Sequence, residues 1–412
     1  MRVVSVVPVF PQISETFIVN KVLGLLDRGV DAHVVCGSSP STNWSAFDDP
    51  GLQRRLAGRV HLAPGLSLRP SAVVGNLKDL VAVGASSANV ARRYLTDRAV
   101  PPRQRLQSLV VDAALCRLEP DVTHFEFGAL AVGRMALGRH LGCAVTVSFR
   151  GSDLMYIGLE HRDHYEVVFD RADGIHVLGE SLWSRAVERG ARADQPHQVI
   201  PPAIDTSDIH PTPSRPGALG AHDRPLRVLS IGRLHWTKGY DDALEAIGRL
   251  RDQGTSVEYR IVGDGELLAA VAFWRHQLGL DDCVELRRSV PPAEVARQLA
   301  WADVVLHSAV SEGFCNGVIE AQAHGVPVVC TDAGGLPENV EHDVTGIVVP
   351  RRDPAALATA LTRLAADGDL RGRVGTAGRD RVERLFRLDD QIDAWVRFYQ
   401  DAITRRSAVG AR

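Results

Sequence analysis

The chain has 412 residues, enough for two domains that each bury a core of their own. Apolar residues make up 45% and charged residues 24%, which excludes a disordered chain. The formal net charge of −3 gives no reason to expect nucleic acid as a partner. No apolar run is long enough to span a bilayer, and Met1–Phe10 reads as a first strand, not a signal peptide. Six cysteines lie scattered without a Cys-x-x-Cys pair, the usage of a reduced, cytoplasmic protein without a zinc site. Of 47 basic residues only three are lysines, Lys21, Lys78 and Lys238, so a retained lysine hints at a need for a compact ammonium.

Val3–Val9 is a buried-strand pattern, a helix follows to about Arg28, and Ala32–Cys36 is a second strand. This βαβ opening implies a parallel sheet, with ligands beyond the carboxyl ends of its strands. Ser14, Glu15 and Thr16 therefore stand near a ligand by topology, and helix capping is their equal alternative. From Gly51 to Arg117, eleven Arg/Lys face three acids, a local excess of eight positive charges. Leu66, Leu68, Val73 and Val74 interleave with them, a pattern that suits an anionic lipid surface or acceptor, or a solvated arginine-rich face. Asp121–Gly128 is a strand and its loop, which puts His124 and Glu126 at a carboxyl end. Ala144–Phe149 repeats the pattern, with Arg150-Gly-Ser-Asp153 as its loop. Asp205–Arg224, rich in Pro, Ser, Thr and Gly, reads as a linker.

The second half opens with the strand Leu226–Ile231, then Gly232-Arg233-Leu-His-Trp-Thr-Lys238-Gly239 and a helix to about Arg251. Two cations in such a loop can neutralise a diphosphate. Tyr259–Gly265 is a strand running into a loop at Gly263, and Val284–Arg287 is a further strand. Trp301–His307 ends in a buried strand, Ser311–Gly317 turns the chain, Val318–His324 has helical spacing and Val328–Cys330 is a strand. Backbone N–H groups at Phe314, Cys315, Asn316 and Gly317 open this helix, and such groups with the helix dipole bind anions. Gly313 and Gly317 let a ligand come close. Glu312 and Glu320 could accept bonds from hydroxyls; either alone reads as a helix-end charge, but the pair with its glycines favours a sugar-nucleotide site. Two helices follow Pro354, the last spanning Gln391–Thr404.

Glu312-x7-Glu320, within Glu-Gly-Phe…Val-Ile-Glu-Ala, resembles the signature of the retaining glycosyltransferases of family 4. Gly334–Glu338 and Thr345–Pro350 are similar to that family's next segments, and Ser14–Ile18 resembles a subgroup several of whose members build exopolysaccharides. The resemblance implies an α/β GT-B fold, two Rossmann-like domains facing across a cleft with the C-terminal helix crossing back to the N-domain. The boundaries that follow are 1–203 for the acceptor domain, 204–224 for the linker, 225–386 for the nucleotide-sugar domain and 387–412 for the returning helix. It implies catalytic roles for Glu312, Arg233, Lys238, Arg150 and Asp153. Donor contacts fall to Glu320, the Gly313–Val318 turn, Gly263 and Arg287, and acceptor-side positions to Ser14, Glu15, Thr16, His124 and Glu126. The family pattern is His-Gly-x-Asp where this chain has Arg150-Gly-Ser-Asp153, and arginine cannot act as a base. With no Asp-x-Asp pair in a metal setting and no Walker loop, no metal or other cofactor is expected. The expected reaction is hexosyl transfer from a UDP- or GDP-sugar to a polysaccharide, glycolipid or small-molecule hydroxyl, with the inner face of a membrane as a candidate location. An epimerase, a phosphorylase and a non-catalytic sugar-nucleotide binder share the architecture.

Overall fold

The computed structural model describes residues 1–12, 15–47, 50–63, 88–207 and 209–410. Ser14 and the stretch carrying Leu66, Leu68, Arg69, Val73, Val74 and Lys78 lie outside these residues. Contacts divide the chain into two units. The first comprises Met1–Leu178, Trp183–Ile200 and Ile392–Arg412; the second comprises Gly179–Leu182 and Pro201–Gln391.

Unit 1 is built on a seven-stranded sheet of order β3-β2-β1-β4-β5-β6-β7, every neighbouring pair parallel. The strands are β1 Arg2–Val9, β2 Asp31–Ser38, β3 Val60–Leu62, β4 Val122–Phe125, β5 Ala144–Phe149, β6 Gly174–Val177 and β7 His197–Val199. Unit 2 has a six-stranded parallel sheet of order β10-β9-β8-β11-β12-β13. Its strands are β8 Leu226–Ile231, β9 Val257–Val262, β10 Val284–Arg287, β11 Val304–His307, β12 Val328–Thr331 and β13 Ile347–Val349. The central strands are continuous apolar runs because helices cover both faces. Strand order reverses between β1 and β4 and again between β8 and β11. In open α/β sheets such a reversal leaves a crevice at the carboxyl ends, where ligands bind.

The segment read as a linker lies along unit 2. Arg371, fully buried, donates to the carbonyls of Arg215 and Gly217 as well as Leu364 and Ala365. The Thr212 and Leu219 amides donate to His324 and Ala365. Three helices, not two, follow Pro354: Pro354–Ala366, Gly368–Leu385 and Leu388–Gly410. The middle one carries glycines that make it a poor helix by propensity. Packing overrides this, for a Cβ on Gly375 would lie 2.1 Å from the Gly325 carbonyl oxygen. The last helix supplies Trp395, Phe398, Tyr399 and Ala402 to the core of unit 1, against Val3, Val19 and Val122.

Candidate active site

In unit 2 the loops after β8 and β11 flank the strand-order reversal, and backbone contacts sew them together. Gly239 has φ +62°, and a Cβ there would sit 2.2 Å from the Ser308 carbonyl oxygen. Ser308 Oγ donates to the Lys238 carbonyl at 2.9 Å, and the Val310 amide donates to Thr237 at 2.8 Å. This brings the Lys238 ammonium onto Glu312 Oε2, a half-buried ion pair. His307, at the end of β11, places Nε2 3.1 Å from the same oxygen. Burial alone would raise the Glu312 pKa, but Lys238 and His307 outweigh it and hold the carboxyl at about 2. Burial would lower Lys238, yet Glu312 raises it. Both are therefore charged at neutral pH. Arg233 is exposed and makes no ion pair among the described residues.

The helix Asn316–Ala323 starts beside this pair. It has no side-chain cap, so the first-turn amides of Asn316, Gly317 and Val318 lack intrahelical partners. The Cys315 amide is not among the free donors, because Asn339 Oδ1 accepts from it at 3.0 Å. Asn339 also donates to the Cys315 carbonyl at 3.3 Å, clamping the turn. The Gly335 amide holds the Glu312 carbonyl at 3.0 Å, and a Cβ on Gly335 would lie 2.0 Å from the Gly313 oxygen. Phe314 is buried edge-on to Phe386. Glu320, one turn into the helix, has no hydrogen-bond or ion-pair partner among the described residues, and burial pushes its carboxyl up to about 7.

Two expected donor residues have structural duties. A Cβ on Gly263 would stand 1.9 Å from the Gly232 carbonyl oxygen, so this glycine lets two backbone loops meet. Arg287 Nε donates to Glu285 at 2.7 Å.

In unit 1 the corresponding reversal lies between β1 and β4. Glu126, just past β4, is fully buried and accepts from Lys21, from Ser5 Oγ at 2.9 Å and from Arg150 Nη2 at 3.2 Å. Burial would raise its pKa, but Lys21, His124 and Arg150 hold it well below the carboxylate range. His124 is also buried, bonded to Thr146 at 2.9 Å and Ser148 at 3.0 Å, and burial lowers its pKa to about 4. These two residues, expected on the acceptor side, lie beneath the surface, and Glu126 supports Arg150, whose guanidinium also covers the Phe17 ring at 4.3 Å. Asp153 is equally buried; its oxygens accept from the amides of Arg150 at 2.8 Å and Ala129 at 3.0 Å. It fixes the start of the helix Gly151–Met155. Glu15 is close enough to stabilise the Arg150 charge, and Thr16 opens the helix Thr16–Asp27. Sequence reasoning missed His307, Asn339 and Lys21. The available signals were position at a strand end for His307 and the scarcity of lysine for Lys21.

Residues 214–381 match the family described as "Glycosyl transferases group 1". The chain is 29% identical to the amylovoran biosynthesis glycosyltransferase AmsK of Erwinia amylovora, over 92% of this chain and 94% of the relative. It is 32% identical to a GDP-mannose-dependent alpha-(1-6)-phosphatidylinositol monomannoside mannosyltransferase of Mycobacterium tuberculosis, over 47% of this chain and 52% of that protein. Among solved structures it is similar to Anabaena HepE in complex with UDP and glucose, with a TM-score of 0.68 at 16% identity, covering 96% of this chain and 98% of that one.

Proposed function

We propose that this chain is a glycosyltransferase of the GT-B fold acting in polysaccharide or glycolipid biosynthesis, and that it moves a hexosyl group from a UDP- or GDP-sugar to an acceptor hydroxyl with retention of configuration. The observation that carries this reading is the Lys238–Glu312 pair beside an uncapped helix start and an unpartnered Glu320. The amides of Asn316, Gly317 and Val318 take phosphate oxygens, and Arg233 and Lys238 neutralise the diphosphate. Glu320 accepts from the ribose hydroxyls and Glu312 from the sugar. The bond from the anomeric carbon to phosphate breaks as the acceptor oxygen bonds on the same face. The acceptor proton passes to the departing phosphate, whose charge the two cations stabilise. Since the side chains supply the positive charge, no divalent metal takes part. A thermal-shift panel of UDP-, GDP-, ADP- and TDP-sugars identifies the donor. Incubation of that donor with and without acceptor glycans in EDTA then tests transfer; conversion of the donor without acceptor would indicate an epimerase instead.

Glu320 makes donor binding depend on pH. With its carboxyl at about 7, the free protein is partly protonated at neutrality, and a protonated carboxyl offers the ribose fewer acceptors. Affinity for UDP or GDP, read by calorimetry, should rise several-fold from pH 6 to 8, and Glu320→Gln should flatten that rise. Because burial favours the protonated form, charging Glu320 destabilises the fold as pH rises from about 4.5 to 7. The same variant should therefore melt higher than the parent at pH 8 without ligand.

The acceptor belongs at a membrane surface in this reading. The helices Ala88–Thr96 and Pro102–Val111 and the turn between them expose Leu95 (49%) and Leu106 (51%) together with Arg92, Arg98 and Arg103. No helix among the described residues is long and apolar enough to cross a membrane, so attachment is peripheral. The chain should sediment with vesicles containing anionic lipid, less at high salt, and stay in solution with neutral ones. Equal binding to both would end the idea.

A further inference from the structure

In the free protein the Lys238 ammonium rests on Glu312 Oε2, and glycosyl transfer asks the same ammonium to meet the donor's diphosphate. Lysine is a point charge on a flexible four-carbon stem, so phosphate draws it off the carboxylate at little cost. A second group has to keep Glu312 aimed once the donor is bound.

His307 has the geometry for this. It is the last residue of β11 and pairs in register with Cys330 of β12. Its ring is 8% exposed and turns on only two torsions. Nε2 lies 3.1 Å from Glu312 Oε2, and the other ring nitrogen faces Cys315 Sγ at 3.9 Å. An ionised carboxylate only accepts, so Nε2 carries a proton and donates it to that bond. Asn339 grips both backbone groups of Cys315, and the Gly335 amide holds the Glu312 carbonyl. Ring and carboxylate therefore meet on fixed backbone. Among the described residues, both partners of the Glu312 carboxylate fall on Oε2 and none on Oε1.

We infer that His307 is a positioning residue for glycosyl transfer: it holds Glu312 by Oε2 when the donor diphosphate draws Lys238 away, and so leaves Oε1 to accept from a hydroxyl of the transferred sugar. This role rests on the glycosyl-transfer reading above. It assigns the two oxygens of one carboxylate to different tasks, one to the protein and one to the substrate.

Two amide substitutions separate positioning from mere packing. Asparagine at 307 places its nitrogen where the imidazole has Nδ1 and offers Glu312 no donor, whereas glutamine carries a donor as many bonds from Cβ as Nε2. Calorimetry on the full chain without acceptor compares a sugar nucleotide with its bare diphosphate: UDP-glucose with UDP, or GDP-mannose with GDP, whichever pair binds. His307→Asn should weaken the sugar nucleotide about tenfold or more, as loss of a hydrogen bond to a charged group does, while the bare nucleotide moves less than about twofold. With acceptor present, kcat should fall about tenfold to a hundredfold. His307→Gln should bring both values back to within about threefold of the parent. In a Glu312→Gln background, His307→Asn should weaken the sugar nucleotide no further, since no carboxylate is left to aim. His307→Leu, which also lacks a donor, repeats the comparison if the asparagine variant does not fold. Equal weakening of sugar nucleotide and bare nucleotide, indistinguishable asparagine and glutamine variants, or a full further loss in the Glu312→Gln background would overturn the positioning role. A parent chain that binds neither sugar nucleotide nor bare nucleotide would instead overturn the glycosyl-transfer reading, and this role with it.

Discussion

Lys238→Ala and Glu312→Gln should each lower turnover about a hundredfold to a thousandfold, the usual loss when one group stabilising transition-state charge is removed. The two side chains form one unit, with the ammonium on the carboxylate and His307 on the same oxygen. In the free protein each is held charged by the other, so both are aimed before substrate arrives. Alanine at 238 removes the cation that the proposed mechanism sets against the leaving diphosphate and leaves Glu312 with only His307 to offset its burial. Glutamine at 312 keeps the shape but removes the charge that holds the lysine. Because the residues act together, the double variant should lose little more than the worse single one. Circular dichroism and melting should stay near those of the parent, since the β8 and β11 loops are sewn by backbone contacts that do not involve the side chains of the pair. Turnover near the parental value in either variant would remove that residue from the chemistry, and additive losses would remove the coupling.

Many strands of both sheets were readable because buried parallel strands are short apolar runs: Val3–Val9, Ala144–Phe149 and Leu226–Ile231 appear in the structure within two residues of where periodicity puts them, while the three-residue edge strand Val60–Leu62 went unread. The Glu312 and Glu320 spacing was readable because both lie on one local unit of loop and helix. What was hidden depends on contacts across the chain. The Lys238 to Glu312 contact spans 74 positions, and Lys21 to Glu126 spans 105. His124 and Glu126 were placed correctly at the end of a strand, but spacing cannot tell whether such a residue points to solvent or inward. The helix Gly368–Leu385 escaped because its four glycines oppose helix by propensity, while close packing against Gly325 requires one of them. Cys315 shows the same limit: its amide looks free from sequence and is in fact held by Asn339, 24 residues on.

Glu126→Gln should be the most destabilising single change among the buried polar residues of unit 1, costing about 3–5 kcal/mol, as breaking a buried ion pair does. Glu126 sits between two cations, Lys21 and Arg150, and its side chain is 0% exposed. Replacing it leaves both positive charges buried without an anion between them. Lys21→Met is expected to cost less, because one cation and one anion remain and the ammonium is already strained by burial. Its pKa falls to about 8, so folding opposes its charge and stability should rise as pH climbs from 8 towards 10.5, a slope the methionine variant lacks. The pair Lys21→Met with Glu126→Gln should recover much of the loss of Glu126→Gln, a positive coupling that a double-mutant cycle measures. In unit 1, a loss of this size corresponds to a fall of roughly 10 °C in melting temperature. Arg150 should also lose its fixed pose when Glu126 is neutral, because Nη2 donates to that carboxylate and Nε to the Glu126 carbonyl. Transfer rates in the double variant should therefore remain low even where stability returns. If Glu126→Gln melts within a degree or two of the parent, or if the two changes simply add, the buried charges are not coupled and Lys21 has no part in holding Arg150.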